Sequence, residues 1–275
     1  MNGKEFIYKS DNSKILEADS FTWKAPSNIA LVKYWGKRDV QIPGNPSISF
    51  TLSNCFTETT LEFKKREKSA EVSELYCDDD LKQILTQREC KWDIFLDGKR
   101  KPEFRKKISE FIIRIARLVS FLNDYDLVIK THNSFPHSSG IASSASGMAA
   151  LALCIMSMEK ALNPSITDEL FYKKASFLAR LGSGSAARSI KGELVVWGEH
   201  KEIKASSDWY GVKFPHKIHD NFKNYHDTIL LVDEGEKQVS STVGHNLMHE
   251  HPFSEKRFEQ ANENLSKISS RSVDH

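Results

Sequence analysis

The residues best suited to chemistry lie between Asn133 and Gly147, where a serine-rich loop joins a short apolar run to a helical pattern. Pro136 stiffens the entry to this loop, and Gly140 can take a positive φ that strains other residues. A helix beginning near Ser143 would direct its free N–H groups and the positive end of its dipole at an anion. The loop therefore predicts a phosphate site, although a bare serine cluster is also typical of an ordinary helix cap. The candidate contacts are Ser138, Ser139, Gly140, Ala142, Ser143, Ser144 and Ser146.

A second stretch, from Ala25 to Asp39, places Lys33 and Lys37 four residues apart beside Tyr34-Trp35-Gly36. Lysine is a compact point charge suited to a diphosphate, and a glycine lets the backbone approach such a group closely. The alternative for these residues alone is a strand that leads into a solvated basic turn.

A third stretch reads Gly182-Ser183-Gly184-Ser185-Ala186-Ala187-Arg188-Ser189-Ile190. Two glycines and two serines predict a tight turn that is rich in N–H donors. Arg188 can hold a carboxylate or a phosphate through two parallel hydrogen bonds. An isolated arginine on a short helix is otherwise usually a surface charge.

The composition is that of an ordinary globular protein and gives no reason to expect nucleic acid or a membrane as a partner. The 275 residues include 39 basic and 37 acidic side chains, a net charge of +2, so any preference for anions must be local. The first residues lack the apolar core of a secretory signal, and no run approaches the roughly 18 apolar residues of a membrane helix. The four cysteines form no C-x-x-C pair, which argues against a disulfide framework or a thiolate metal site. We expect a reduced, cytoplasmic protein.

Alternating and helical patterns predict the elements that must position these residues. Residues 1–20 are expected to form a polar, loosely held lead-in. Strands are predicted at 21–25, 48–52, 56–63, 92–96, 127–131, 194–197 and 228–232, and helices at 108–122, 143–161, 167–181, 184–190 and 254–269. Alternating strands that come first, with helices later, favour an α+β architecture over a doubly wound sheet.

All three stretches resemble one enzyme family. The series Pro-x-x-x-Gly-x-x-Ser-Ser-Ala from Pro136 resembles the phosphate loop of the superfamily of galactokinase, homoserine kinase, mevalonate kinase and phosphomevalonate kinase. The order Ala-Pro-x-Asn-Ile-Ala-x-x-Lys-Tyr-Trp-Gly-Lys-Arg-Asp from Ala25 resembles the N-terminal signature of the diphosphomevalonate decarboxylases. The third stretch resembles that family's Gly-Ser-Gly-Ser-Ala-x-Arg-Ser, and a weaker match over 237–244 contains Thr242.

The resemblance implies a ribosomal-protein-S5-domain-2-like α/β sandwich over residues 21–200, which would bind ATP and substrate. Residues 201–275 would begin a ferredoxin-like C-terminal domain, incomplete here. ATP and Mg²⁺ are the implied cofactors, and the magnesium ligands stay unknown, with a serine hydroxyl as one candidate. A small-molecule acid is the implied partner, and a homodimer stays open because homodimers are common among relatives.

The implied reaction is the ATP-dependent decarboxylation of (R)-5-diphosphomevalonate to isopentenyl diphosphate in the mevalonate pathway. Three residues are catalytic candidates by resemblance. Lys33 would stabilise charge on the leaving phosphate, Arg188 would hold the substrate carboxylate, and Asn28 would orient Arg188 or that carboxylate. Arg105 is a further candidate for substrate contact. The substrate contacts carried over from the family are Tyr34, Trp35, Gly36, Lys37, Ser183, Gly184, Ser185, Ala186, Ala187, Arg188 and Thr242.

One departure from the family concerns its essential aspartate, which the family carries in an Asp-Ala-Gly-Pro stretch. No such stretch occurs in these 275 residues, and Asp274 lacks its context. We therefore expect a truncated chain that binds ligands poorly and turns over little. The alternatives are a decarboxylase or kinase that acts on mevalonate 5-phosphate or mevalonate, and an inactive ligand-binding relic.

Overall fold

The computed structural model describes residues 3–9, 14–66, 91–136, 140–223, 226–228, 230, 244, 247–248 and 250–271. Its strands are β1 (Ala18–Val32), β2 (Lys37–Asp39), β3 (Ile42–Pro43), β4 (Ser47–Lys65), β5 (Lys91–Leu96), β6 (Lys99–Arg100), β7 (Tyr125–Asn133), β8 (Leu194–Trp197) and β9 (Val212–Lys213). Its α-helices are α1 (Arg105–Ile115), α2 (Ser143–Leu162), α3 (Asp168–Gly182) and α4 (Ser254–Arg271). Short 3₁₀ turns include Lys4–Phe6, Ser120–Asp124 and Gly184–Arg188.

A mixed, seven-stranded sheet organises these residues around the long strand β4. Along one edge of β4, residues 57–65 pair with β7 and residues 47–50 pair with β8, while β1 pairs with β4 over both parts. The path runs β6-β5-β7-β4-β8-β9, and β2 and β3 form a separate hairpin. Only β5 and β7 are parallel among the described pairs. This mixed sheet with its helices confirms the α+β prediction.

The two strands predicted at 48–52 and 56–63 are one strand with a wide bulge. Pro26 pairs with Phe56 and Asn28 pairs with Thr51, so four residues of β4 lie opposite Ser27 alone. The polar run over 52–55 therefore interrupts the alternation without ending the strand. A bulge bends its strand and changes the direction of neighbouring side chains, and this one lies beside Asn28.

The main core lies between one face of the sheet and helices α1, α2 and α3. Helix α2 is the central element, because β1 and β4 cover one side of it and α3 covers another. It is long and apolar enough to cross a membrane, but 78% of its apolar window is buried inside the fold. Its composition therefore fits a core helix.

A second, smaller core forms where α4 packs against the sheet. Ala261 and Leu265 of α4 contact Val32 of β1, Ile48 of β4 and Val196 of β8. Apolar residues of α4 recur at helical spacing on this side, while its other side is polar. The predicted helix over 254–269 is confirmed.

Three local predictions differ from the structure. The lead-in is not loosely held throughout, because Phe6 is 1% exposed and lies 4.5 Å from the Phe177 ring, and β1 already begins at Ala18. The helix predicted over 108–122 ends at Ile115, and beyond it the Leu118 carbonyl accepts from Lys174 Nζ and Tyr8 N. Most of the strand predicted at 228–232 lies outside the described residues, and Thr228 and Leu230 are not in a strand.

Candidate functional site

The phosphate loop bends sharply just before α2 begins. Gly140 has a φ of 84° and Ala142 a φ of 55°, so two residues in the left-handed region turn the chain into the helix. The hydroxyl of Ser27 donates to the Ile141 carbonyl, which fixes the loop to the β1 bulge. The first turn of α2 therefore begins at Ser143 as predicted, with free N–H groups that can meet an anion.

The serines of this loop play different parts. Ser144 Oγ lies 3.3 Å from Ser183 Oγ, so the helix start touches the turn that follows α3. Ser146 is fully buried, and its hydroxyl bonds Thr57 at 2.6 Å and the Ser143 carbonyl at 3.2 Å. The Ser146 hydroxyl therefore joins α2 to β4 through Thr57 in this structure, whereas the sequence predicted a ligand contact. Ser138 and Ser139 lie outside the described residues.

Arg188 lies at the centre of a buried polar network. The residue is 2% exposed, its Nη1 donates to Ser47 Oγ, and its Nη2 lies 3.4 Å from Asn28 Oδ1. Asn28 Nδ2 in turn donates to Ser189 Oγ at 2.8 Å and to the Ser185 carbonyl at 3.2 Å. The predicted pairing of Asn28 with Arg188 is therefore present, although the two residues are 160 positions apart in sequence.

The charge of Arg188 has no acidic partner among the described residues. Its Nε is buried and has no hydrogen-bond acceptor in the part of the chain that the structure describes. Burial lowers the pKa of Arg188 to about 10, while Tyr34 acts in the opposite direction. Because an arginine keeps its proton at such a pKa, the site holds a full positive charge at neutral pH.

Two aromatic rings form the walls around this guanidinium. Its Cζ lies 5.6 Å from the Tyr34 ring centre and 5.7 Å from that of Trp197, and the two rings meet edge to face at 4.9 Å. Burial raises the pKa of Tyr34, and the charge of Arg188 lowers it in part. Cations are attracted to aromatic faces, so these walls stabilise the charge without neutralising it.

Lys37 lies in a separate cluster of positive charge. Burial and the nearby Arg114 lower the pKa of Lys37, and burial and Lys37 lower the pKa of Lys107. Arg114 Nη1 donates to the Leu181 carbonyl at 2.9 Å, which places the cluster at the C-terminal end of α3. Glu110 is the acidic neighbour, 3.4 Å from Arg114. Three cations beside one carboxylate leave a local excess of positive charge.

Lys107 also lines a recess that opens at the start of α2. This recess of about 100 Å³ is bounded by the residues Thr57, Phe104, Lys107, Ile129, Ser143, Ser144 and Gly147. Lys107 is exposed to solvent at this recess. The recess thus joins the phosphate loop to the lysine cluster. A much larger cleft, about 1800 Å³, lies elsewhere around Phe50 and Phe222 and includes none of these residues.

The remaining residues of the basic stretch point in other directions. The Lys33 ammonium lies 5.7 Å from the Trp35 ring centre, and Arg257 of α4 lies 4.8 Å from the same ring. Lys33 has no contact with the Arg188 network among the described residues. A Cβ at Gly36 would come within 3.2 Å of the Phe258 ring, so this glycine gives room to α4. Its predicted substrate contact stays a prediction.

Sequence reasoning missed several residues of this site. Ser47 and Trp197 carry no local signal, since each comes to Arg188 through the pairing of β4 with β8. Lys107 belongs to a basic run that reads as the solvated face of a helix, and only its recess distinguishes it. Arg105 lies 5.3 Å from the Trp92 ring centre, and its predicted substrate contact stays a prediction. Thr242 lies outside the described residues.

Known proteins resemble this chain over most of its length. Residues 25–208, more than half of the chain, match the family model of the diphosphomevalonate decarboxylase-like N-terminal domain. The diphosphomevalonate decarboxylase of Saccharomyces cerevisiae is 34% identical over 237 residues, which cover 81% of this chain and 52% of that protein. This chain therefore spans about half the length of the curated relatives that it matches.

Solved structures show the same fold. Mevalonate diphosphate decarboxylase from Staphylococcus aureus matches with a TM-score of 0.68 and 29% identity, covering 94% of this chain and 68% of that chain. A structure described as MDDEF in complex with MVAPP, AMPPCP and magnesium matches with a TM-score of 0.67 and 28% identity, covering 92% and 68%. By its family match and its fold, this chain belongs to the diphosphomevalonate decarboxylase-like family.

Proposed function

We propose that the site of this chain takes MgATP and (R)-5-diphosphomevalonate, and that its reaction is the ATP-dependent decarboxylation that forms isopentenyl diphosphate. The weak binding and low turnover expected from the missing Asp-Ala-Gly-Pro stretch stay part of this proposal. The observation that carries the proposal is Arg188, a buried guanidinium with an unpaired Nε close to the contact between the phosphate loop and the Ser183–Arg188 turn. A buried charge is costly unless hydrogen bonds or a counter-ion offset it, and the unpaired Nε of Arg188 favours an anion as its partner. A carboxylate matches the geometry of a guanidinium.

The lysine cluster supports a ligand that is charged at both ends. Burial lowers the pKa values of both Lys37 and Lys107, and the charge of Lys37 lowers that of Lys107 further. A diphosphate brought between them would offset that effect, because opposite charges a few ångströms apart favour the protonated lysines. The MVAPP ligand of the MDDEF structure supports a diphosphorylated acid as the substrate.

The start of α2 supports a nucleotide phosphate. Ser143 and Ser144 of its first turn line the same recess as Lys107, and the free N–H groups of a helix start favour an anion. Within the described residues no group of three or more His, Cys, Asp or Glu side chains could hold a metal. Mg²⁺ beside a nucleotide usually takes its ligands from phosphate oxygens and water, and we expect the same arrangement here.

MgATP, when bound, supplies the phosphoryl group that converts the tertiary hydroxyl of the substrate into a leaving group. This chain supplies position and charge: Arg188 holds the carboxylate that is lost, and Lys37 holds the diphosphate at the other end. Chemistry of this kind depends mainly on placement and electrostatic stabilisation. The Lys33 ammonium lies 5.7 Å from the Trp35 ring centre, and its role in stabilising charge on the departing phosphate stays a prediction.

Isothermal titration of the 275-residue chain tests the binding part of the proposal. We expect saturable binding of diphosphomevalonate in the presence of Mg²⁺ and a non-hydrolysable ATP analogue. Arg188→Met should weaken binding by about 100-fold or more, whereas Lys191→Met, which removes an exposed cation three residues along, should leave it unchanged. No saturable binding by the wild-type chain, or equal effects of the two variants, would overturn the proposal.

Product analysis tests the reaction. ADP and carbon dioxide in equal amounts would identify a decarboxylase, and ADP without carbon dioxide would identify a kinase instead. Preferential turnover of mevalonate 5-phosphate would correct the substrate. Binding without any ADP formation would leave the chain as a ligand-binding protein and contradict the catalytic part of the proposal.

A further inference from the structure

A second buried arginine, Arg180, plays no part in the function described so far. It is 1% exposed and forms no ion pair among the described residues. Its Nε donates to the Trp209 carbonyl at 2.9 Å, and its Nη1 donates to the Val40 and Gln41 carbonyls at 3.1 and 2.8 Å. Burial lowers its pKa to about 10, with Asp208 and Asp39 acting against burial from a distance.

Burial of an arginine at a core position costs free energy. Apolar residues of similar volume often stabilise a protein as well as a buried charge does. Three backbone carbonyls and two flanking rings, Phe177 at 5.0 Å and Trp209 at 5.3 Å, use both the planar shape and the donors of this guanidinium. A lysine could not reproduce that arrangement. The contacts therefore indicate that the positions of these carbonyls matter.

Two of the three carbonyls belong to the hairpin that carries Lys37. The hairpin consists of β2 (Lys37–Asp39) and β3 (Ile42–Pro43) and is not part of the main sheet. Such a short two-stranded hairpin is barely stable by itself. Gln41 at its tip has a φ of 54°, a conformation that costs free energy in a residue other than glycine. The hairpin therefore requires outside contacts, and Arg180 provides two of them at its tip.

The helix that carries Arg180 leads directly into the turn that carries Arg188. Helix α3 ends at Gly182, and Ser183 begins the turn. The tip of the hairpin also touches this turn, because a Cβ at Gly184 would lie 3.2 Å from Gln41 Oε1. One side chain thus joins the hairpin of Lys37 to the base of the Arg188 turn.

We propose that Arg180 is a positioning residue that fixes Lys37 relative to Arg188 and thereby sets the length of the two-ended acid that the site accepts. The identity of that acid rests on the proposed function. The fixed spacing of Lys37 and Arg188 does not depend on the proposed function, and it is tested first without any ligand.

Amide hydrogen exchange tests the spacing directly. In Arg180→Met, exchange in a peptide covering residues 37–45 should be about tenfold faster or more, because the hairpin loses its contacts with α3. Phe171→Leu is the matched control, since it also thins the core on α3 but contacts Trp23 and Tyr172 instead of the hairpin. Equal exchange of this peptide in Arg180→Met and wild type would overturn the proposal.

A double-mutant cycle tests the consequence for binding. In the wild-type background, Lys37→Ala should weaken binding of diphosphomevalonate by about tenfold or more, since it removes a charge-assisted contact. In the Arg180→Met background the same change should cost about twofold or less, because Lys37 no longer reaches the ligand. In the Arg180→Lys background, the cost of Lys37→Ala should lie between the costs in the wild-type and Arg180→Met backgrounds.

A merely destabilising role for Arg180 predicts a different pattern. The cost of Lys37→Ala would then be the same in the wild-type, Arg180→Met and Phe171→Leu backgrounds, and that result would overturn the proposal. Failure of the wild-type chain to bind diphosphomevalonate would overturn the proposed function, whereas the exchange experiment would still decide whether Arg180 fixes the hairpin.

Discussion

Ser144 Oγ lies 3.3 Å from Ser183 Oγ, and this contact joins the first turn of the phosphate-loop helix to the turn that holds Arg188. Ser144 belongs to α2, and Ser183 follows the last residue of α3. A phosphate bound at α2 and an acid bound at Arg188 would therefore meet at two adjacent hydroxyl groups. Occupation of one side must then alter the surroundings of the other.

Removal of one hydroxyl should weaken the coupling between the two ligands. In Ser144→Ala, we expect the improvement in substrate affinity caused by an ATP analogue to fall about three- to tenfold. The free energy of unfolding should change by less than about 1 kcal/mol, because a half-buried hydroxyl pair contributes little. Titrations with and without the analogue measure the coupling. Ser165→Ala, in the loop after α2, is the control, and coupling of wild-type strength in Ser144→Ala would contradict the expectation.

Replacement of Arg188 should separate binding from stability. Arg188→Met should weaken substrate binding by about 100-fold or more, because it removes the charge that pairs with the carboxylate. The free energy of unfolding should stay within about 1.5 kcal/mol of wild type, since the variant also removes the cost of burying an unpaired charge. Urea denaturation and calorimetry measure the two quantities. A loss of stability above about 3 kcal/mol would instead indicate that Arg188 mainly supports the fold.

The lysine cluster predicts a distinct pH dependence of binding. Burial lowers the pKa values of Lys37 and Lys107 in the free protein, and a bound diphosphate favours their protonated forms. Binding therefore takes up protons at alkaline pH, and affinity should fall as the pH rises through the lowered pKa values. Titrations at pH values between about 7 and 10 should show this fall below the ordinary lysine range.

Lys107→Met is the variant that checks the origin of this dependence. It should reduce affinity for the diphosphorylated acid more than for the monophosphorylated one, and the fall of affinity with pH should become shallower. Lys106→Met removes an exposed neighbour on the same helix and should change neither quantity. A pH profile of wild-type shape in Lys107→Met would exclude Lys107 from the site.

The buried pair of Lys174 and Glu159 should behave as a unit in folding. Lys174 Nζ lies 2.7 Å from Glu159 and also donates to the Leu118 carbonyl. Burial raises the pKa of Glu159 and lowers that of Lys174. Lys174→Met alone should cost about 3–5 kcal/mol, because it leaves a buried carboxylate unpaired.

A second substitution should recover much of that loss. Adding Glu159→Leu to Lys174→Met removes both charges and restores an apolar interior. Urea denaturation of the single and double variants measures the difference. Costs that simply add would show that the pair does not act as a unit.

Local patterns predicted the phosphate loop because its signal lies within one short segment. Gly140, the small residues after it and the apolar spacing of α2 all act on the chain nearby, and α2 begins at Ser143 as expected. The signals for the strands over 127–131 and 194–197 also lie within short segments, and both strands are present. The bulge opposite Ser27 was not, since only the pairing of β1 with β4 shows that the polar run over 52–55 belongs to one strand.

The surroundings of the charged residues depended on tertiary contacts. Arg188 meets Ser47 across 141 positions of sequence and Asn28 across 160. Lys33 and Tyr34 are adjacent in sequence, yet one lies over Trp35 and the other beside Arg188. Ser146 has the same composition signal as Ser144, but Thr57 occupies its hydroxyl. Residue type gave the chemistry of these groups, and only packing decided which of them face one another.

The packing of Phe258 against Gly36 and Gly44 ties the far end of the chain to its beginning. A Cβ at either glycine would lie within 3.2 Å of the phenyl ring, so a bulkier side chain at position 36 or 44 would push α4 outward. Leu265 of α4 and Val196 of β8 belong to one buried cluster, and both would then become exposed to water. An expression fragment that stops at residue 200 would suffer the same exposure, and we expect it to aggregate rather than to behave as an autonomous module.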